Sequence, residues 1–294
     1  MAPLWLSRVL YAVPRKKPMK FAPETGIAQM QDCGPLRTSD WDRLLTGADV
    51  WHVSPDALSP ESLEHRCLGW LTPQERARRD RFRTDRLRHN YLTTRALCRW
   101  VLSRYTGVSP NQWQFVENPY GKPAIAAPVE FQRLRIPAAV NASGRMPLPH
   151  EFNSLYFNLT HTEGMVGCAV TRAGEVGLDA EDTSRPVDIE AVAGQVFSAA
   201  ECECLSSLPA HCRTLRFYEY WVLKEAYLKA LGTGLSTPPD QFTITWRDDG
   251  QPASLGDWQL ALYHPTPRHV AATAVCRPVG APLPVTWRSA DVLA

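Results

Sequence analysis

From Ser154 to Asp182 the chain carries "SLYFNLTH" and then "GMVGCAVTRAGEVGLDAED", apolar strand-forming runs broken by a turn signal at Arg172 to Gly174. This run demands a sheet, with a hairpin expected at 172–174. Helical patterns flank it. Upstream, "LTPQERARRDRF" offers Thr72 as N-cap, Pro73 at the first helical position and Glu75 three residues after the cap. The next helix repeats Leu87, Tyr91, Thr94, Cys98 and Val101 on one face. Downstream, a helical block covers about 187–206, and a strong helix runs from about Arg213 to Leu231 and stops at Gly232. "DVWHVSP" reads as a first strand, "NQWQFVENPYGKPAI" as strand, turn and short strand, and "QFTITWRD", "WQLALYHP" and "HVAATAVC" as late strands. Helices mixed with antiparallel hairpins make the class α+β. The strand, helix and strands layout occurs roughly twice, which allows two similar halves.

A chain of 294 residues fits one large domain or two half-sized ones. Residues 1–45 read as an irregular N-terminal extension, and 127–154, rich in Pro and Ala, as a long loop. The first 21 residues hold five basic side chains and no acid. Arg8 interrupts their apolar stretch, so they read as an over-extended or disordered start rather than a leader. No apolar run approaches the length of a membrane span. Eight scattered cysteines favour free thiols in a reducing compartment, and so a cytoplasmic protein. "CEC" at 202–204, near His211 and Cys212, matches no common zinc spacing.

Four clusters could carry chemistry. In a strand, residues i and i+2 share a face, so Asp179 and Glu181 point the same way. Like charges held that close call for a cation, and magnesium takes one or two carboxylates plus substrate phosphate oxygens; a solvated strand end is the alternative. Glu225 and Lys229, four apart, share a helix edge beside Trp221 and Leu228. They form either a surface ion pair or a third carboxylate with a cation for a phosphate. Nine arginines lie between Arg76 and Arg99. A solvated helix face accounts for most of them; a nucleic-acid surface, with Tyr91 and Trp100 for stacking, sits poorly with a net charge of +2. Finally, Gly121 permits close backbone approach, Lys122 adds a cation, and Thr160 and His161 at a strand end can donate to phosphate or satisfy backbone.

In this order, "NPYGKPAI", "FNLTH", "VGLDAED" and "WVLKEAYLKALGTGL" resemble the 4′-phosphopantetheinyl transferases of the larger surfactin-synthetase type, over roughly residues 50–280. The resemblance implies an α+β fold of two similar α/β halves packed as a pseudo-dimer, with the active site between them. The halves would be 46–172 and 173–294. It implies transfer of 4′-phosphopantetheine from coenzyme A to a serine of an apo acyl or peptidyl carrier protein, releasing adenosine 3′,5′-bisphosphate. Asp179, Glu181 and Glu225 would hold Mg2+ (or Mn2+) on the pyrophosphate, with Asp179 also counted in the coenzyme A site. Glu225 would also act as base, and Lys229 would stabilise the pyrophosphate. Arg78, Lys122, Thr160 and His161 would grip phosphates, Arg78 and His161 the adenosine 3′-phosphate. Tyr120 and Gly121 would shape the adenine side. Trp221 and Lys224 would be structural, and Glu175 and Asp182 solvated neighbours. The expected partners are coenzyme A and the carrier, with no nucleic acid or membrane, and the expected state is a monomer.

The chain departs from the family at Thr160, where serine is usual, and at Glu117 and Asn118, where a basic or amide residue is often seen. The 127–154 loop is long, and residues 1–45 have no counterpart. The rival reading, a non-catalytic coenzyme A- or carrier-binding protein of the same fold, is opposed by the intact set Asp179, Glu181, Glu225 and Lys229.

Overall fold

A computed structural model describes residues 38–126, 155–277 and 284–290; the expected 127–154 loop and most of the 1–45 extension lie outside the described residues. Within the extension, Thr38–Arg43 is a helix (α1), and Trp41 and Leu44 are buried in the first core. The chain is therefore regular from Thr38, because two large apolar side chains pay for ordering it.

Strand β1 (Ala48–Val53) is followed by helices α2 (Pro60–Cys67), α3 (Pro73–Asp80) and α4 (Asp85–Thr106). The capping box of α3 forms as expected: Thr72 Oγ1 accepts from Glu75 N at 3.2 Å, and Glu75 Oε2 accepts from Thr72 N at 2.9 Å. Short strands β2 (Phe115–Glu117) and β3 (Pro123–Ile125) make a separate hairpin. Then come β4 (Tyr156–Thr162), β5 (Met165–Thr171) and β6 (Val176–Asp182). The expected helical block is two helices, α5 (Ile189–Val196) and α6 (Ala199–Ser207), because Ser198 opens a new capping box with Glu201. Helix α7 (Ala210–Leu231) starts three residues before the expected Arg213 and ends where Gly232 takes a left-handed φ of 65°. Strands β7 (Trp258–Thr266), β8 (His269–Cys276) and β9 (Val285–Ser289) close the chain.

The fold is α+β in two similar halves. In each, a 22-residue helix lies on a largely antiparallel sheet: α4 on β4-β5-β1-β9 and α7 on β6-β8-β7. The first core gathers Trp51, Leu92, Leu97 and Trp113, the second Phe217, Trp221, Leu223 and Val270. A small cluster including Val50, Ala169, Leu178 and Val275 joins the two sheets.

Two expectations are corrected, and one strand is new. The hairpin at 172–174 does not pair β5 with β6. Both edges of β5 are taken, by β4 and by β1, so β6 crosses to the other sheet and pairs with β8. "QFTITWRD" is not a strand: the carbonyl of Phe242 accepts from Lys224 Nζ at 2.6 Å, and Ile244 N donates to Glu201 Oε1 at 2.8 Å. Side chains satisfy the first part of that backbone, and its end makes only a short turn with residues 251–253, Ala253 N donating to the Thr245 carbonyl at 2.8 Å. Strand β9, without an expectation, returns from the second half to pair parallel with β1 in the first sheet.

Edge strand β4 meets edge strand β6 without a backbone ladder. Leu178 N donates to Asn158 Oδ1 at 3.0 Å, Ala180 N to Thr160 Oγ1 at 3.1 Å, and Asp182 N to Thr162 Oγ1 at 3.2 Å. Side chains at alternate positions of β4 thus stitch the halves together and leave no bare edge between them.

Candidate active site

The site begins with the packing of α7 on β6. A Cβ on Gly177 would stand 1.9 Å from the Ala226 carbonyl oxygen and 2.5 Å from Ala230 N. Only a missing side chain lets the helix come this close. Glu225 and Lys229, one turn apart, then face the strand that carries Asp179 and Glu181. All four line one pocket of about 250 Å³ between the halves. Lys229 Nζ donates to Asp179 Oδ1 at 2.5 Å and to the Leu178 carbonyl at 3.1 Å.

The acids are poorly solvated. Asp179 and Glu225 are 5% and 4% exposed. Burial holds the Asp179 carboxyl above its usual pKa despite the Lys229 ammonium. Burial and then the Asp179 charge lift Glu181 to about 7 and Glu225 to about 8. Asp179 Oδ2 and Glu225 Oε2 are buried without a hydrogen-bond partner. Unpartnered carboxylate oxygens beside mutually repelling acids are what a hard divalent cation would satisfy, so the donor chemistry fits magnesium or manganese. Among the described residues, however, no three His, Cys, Asp or Glu side chains already stand close enough to hold an ion. Asp179 is drawn to Lys229, and Glu181 to Thr162 at 3.2 Å and Arg185 at 3.4 Å.

The first half supplies the opposite wall. Tyr120, Gly121 and Lys122 of the β2–β3 turn line it, as does His161 of β4. Asn118 holds that turn: its Oδ1 accepts from the backbone of Tyr120 at 3.0 Å and Lys122 at 2.9 Å, and its Nδ2 donates to the Gly232 carbonyl at 2.7 Å. The Lys122 ammonium is engaged by Glu175 at 2.5 Å and the Ala230 carbonyl at 2.6 Å. It ties the turn to the end of α7 rather than pointing free into the pocket. The His161 ring opens to the pocket, yet the enclosing walls and then Lys229 hold its pKa down at about 4. An anion beside it would favour its protonated form.

Arg78 and Thr160 are not on the wall. Arg78 lies 3.7 Å from Glu117, which is. Thr160 is 2% exposed and bound to β6. Glu175 and Asp182 are not merely solvated: Glu175 accepts from Lys122, and Asp182, 1% exposed, pairs with Arg268 and Ser184. Lys224 is structural, as expected, with its buried ammonium held by Glu201 at 2.8 Å and by the Pro239 and Phe242 carbonyls. Trp221 is 3% exposed in the second core, and its ring also lines the pocket. The arginine-rich segment is not a uniform solvated face. Arg79 is buried against Glu64, and Arg99, fully buried, binds Glu75 and the Trp113 carbonyl.

Sequence reasoning missed Asn90 and Arg95, which line the pocket with Leu87, Tyr91 and Thr94. The signal was present. Those last three form the upper part of the stripe on α4, and Asn90 and Arg95 lie one turn or less from them. The stripe is buried core only in its lower part, at Cys98 and Val101.

A model of the 4′-phosphopantetheinyl transferase superfamily matches residues 175–275. The 4′-phosphopantetheinyl transferase HetI of Nostoc sp. is 30% identical over 227 residues, 77% of this chain and 86% of the relative. The 4′-phosphopantetheinyl transferase Sfp of Bacillus subtilis is 27% identical over 226 residues, 75% of this chain and 88% of the relative. A solved holo-(acyl-carrier-protein) synthase from Bacillus anthracis aligns at 21% identity with a TM-score of 0.31, covering 36% of this chain and 96% of the other.

Proposed function

The chain belongs to the 4′-phosphopantetheinyl transferase superfamily, and we propose that its cleft transfers phosphopantetheine from coenzyme A to apo acyl or peptidyl carrier proteins with a divalent cation. The observation that carries this reading is the acid set at one end of the pocket. Asp179 and Glu225 are buried there with unpartnered oxygens, beside Glu181 and the Lys229 ammonium.

In this reaction the serine oxygen of the carrier attacks the β-phosphorus of coenzyme A. An O–P bond forms as the bond from that phosphorus to the bridging oxygen breaks, and adenosine 3′,5′-bisphosphate leaves. Asp179, Glu181 and Glu225 are the residues that would hold the cation, magnesium or manganese; when bound it neutralises pyrophosphate charge. Glu225 takes the serine proton, directly or through water. Lys229 turns from Asp179 toward the pyrophosphate oxygens and offsets charge gathering there. His161 and Lys122 lie on the wall for the remaining phosphates, and Tyr120, half exposed, offers a flat face to the adenine. Arg78 stands behind the wall, 3.7 Å from Glu117. Both walls come from one chain, which supports a site formed within a monomer.

The test is intact-mass analysis of apo carrier proteins incubated with the protein, coenzyme A and Mg2+. One phosphopantetheine is expected per carrier, with equal release of adenosine 3′,5′-bisphosphate, and neither with Glu225→Ala. No adduct on fatty-acid, polyketide or nonribosomal-peptide carriers refutes the transferase reading. An adduct undiminished in Glu225→Ala refutes the role of Glu225.

A further inference from the structure

The three side chains that stitch β4 to β6 are not equivalent. Asn158 receives Leu178 N and, among the described residues, makes no hydrogen bond to Asp179 or Glu181. Thr160 and Thr162 each make a second bond. Thr160 Oγ1 accepts from Ala180 N and donates to Asp179 Oδ1 at 3.4 Å. Thr162 Oγ1 accepts from Asp182 N and donates to Glu181 Oε2 at 3.2 Å. A hydroxyl has one proton. Once the strand amide is accepted, that proton is free for the neighbouring carboxylate.

The choice of oxygen is the telling point. Thr160 and Lys229 both hold Oδ1 of Asp179, which leaves Oδ2 buried and without a partner. Thr162 and Arg185 both hold Oε2 of Glu181, which leaves Oε1 outside both bonds. On each acid the threonine hydroxyl and a cationic side chain share one oxygen, and on Asp179 the other is left buried and unpartnered. We propose that Thr160 and Thr162 are positioning residues: each fixes one carboxylate of the Asp179–Glu181 pair so that its second oxygen is presented to a divalent cation.

This rests on the cation reading of the acids given above. It also gives Thr160, which the family resemblance put on a coenzyme A phosphate, a second role: at 2% exposure and off the pocket wall, its hydroxyl is engaged by β6. The two bonds are longer than the best O–H···O bonds, so the hydroxyls steer the acids and leave them mobile enough to close on an ion. Carboxylates that ligate metals are commonly hydrogen-bonded from behind, and losing such a partner typically weakens the metal tenfold or more.

The test uses the full chain without coenzyme A, titrated with MnCl2 and followed by thermal stabilisation. Thr160→Val and Thr162→Val keep the shape and remove the bond; Thr160→Ser and Thr162→Ser keep the hydroxyl. Where a valine variant does not fold, Thr162→Ala removes the bond without inserting a methyl. The expected result is ion affinity about tenfold or more weaker in the valine or alanine variants, with serine variants close to wild type. Asn158→Ala, which breaks a rung with no hydrogen bond to either acid, controls for loosening of the strand. Wild-type ion affinity in the valine variants overturns the proposal, and so does an equal loss in Asn158→Ala. No ion effect on the wild-type chain instead overturns the cation reading itself, and the two failures are thereby distinguished.

Discussion

Gly177→Ala tests the link between packing and chemistry with a single methyl group. The added Cβ would meet the Ala226 carbonyl oxygen at 1.9 Å, Ala230 N at 2.5 Å and Ala230 Cβ at 2.9 Å. Two of these are backbone atoms of α7 and cannot rotate away. Ordinary contact requires the helix to retreat from β6 by roughly 1–1.5 Å. Overpacking of this kind costs about 3 kcal/mol, a fall in Tm of roughly 5–10 °C in a chain of this size. The retreat also carries Glu225 and Lys229 away from Asp179 and Glu181, stretching the 3.1 Å bond from Lys229 to the Leu178 carbonyl. A misplacement of about 1 Å costs on the order of 100-fold in rate. The assays are thermal unfolding and kcat for carrier modification, measured well below the new Tm. A variant with wild-type Tm and wild-type kcat would show that the close helix–strand contact does not set the site.

Three further outcomes follow from the geometry. Lys224→Ala leaves Glu201 and the Pro239 and Phe242 carbonyls buried without their donor, so unfolding should be easier by about 3–5 kcal/mol in urea titration. Asn118→Ala releases the β2–β3 turn from Gly232 and should raise KM for coenzyme A several-fold while kcat changes less, as steady-state kinetics would read. In EDTA, the folded protein retains protons on Glu181 to about 7 and on Glu225 to about 8 that the unfolded chain gives up near 4.5. Stability should therefore fall as pH rises between these limits. Differential scanning fluorimetry should show that slope, and saturating Mg2+ or Glu225→Gln should flatten it.

Much of the site was legible because its residues are set by local rules. Asp179 and Glu181 share a face by strand alternation, Glu225 and Lys229 share an edge by helical spacing, and Thr72 with Glu75 forms the expected cap. What could not be read was the long-range pairing. The turn at 172–174 resembles a hairpin locally, and only the occupation of both edges of β5 sends β6 elsewhere. Thr160 looks the same in sequence whether it faces a phosphate or a strand amide; the partner strand decides, and it lies 20 residues on. Likewise "QFTITWRD" has strand propensity, but Lys224 and Glu201 claim its backbone. Arg99 reads as one more surface cation until Glu75 and the Trp113 carbonyl enclose it.

The central claim is that acids from β6 and α7 make one cation site in the cleft between the halves. The most direct measurement is the electron paramagnetic resonance signal of free Mn2+ titrated with the full-length chain. The account predicts one Mn2+ bound per chain, displaced by excess Mg2+, and loss of that binding in both Asp179→Asn and Glu225→Gln. Undiminished binding in both variants, or no binding by the wild-type chain, would contradict it.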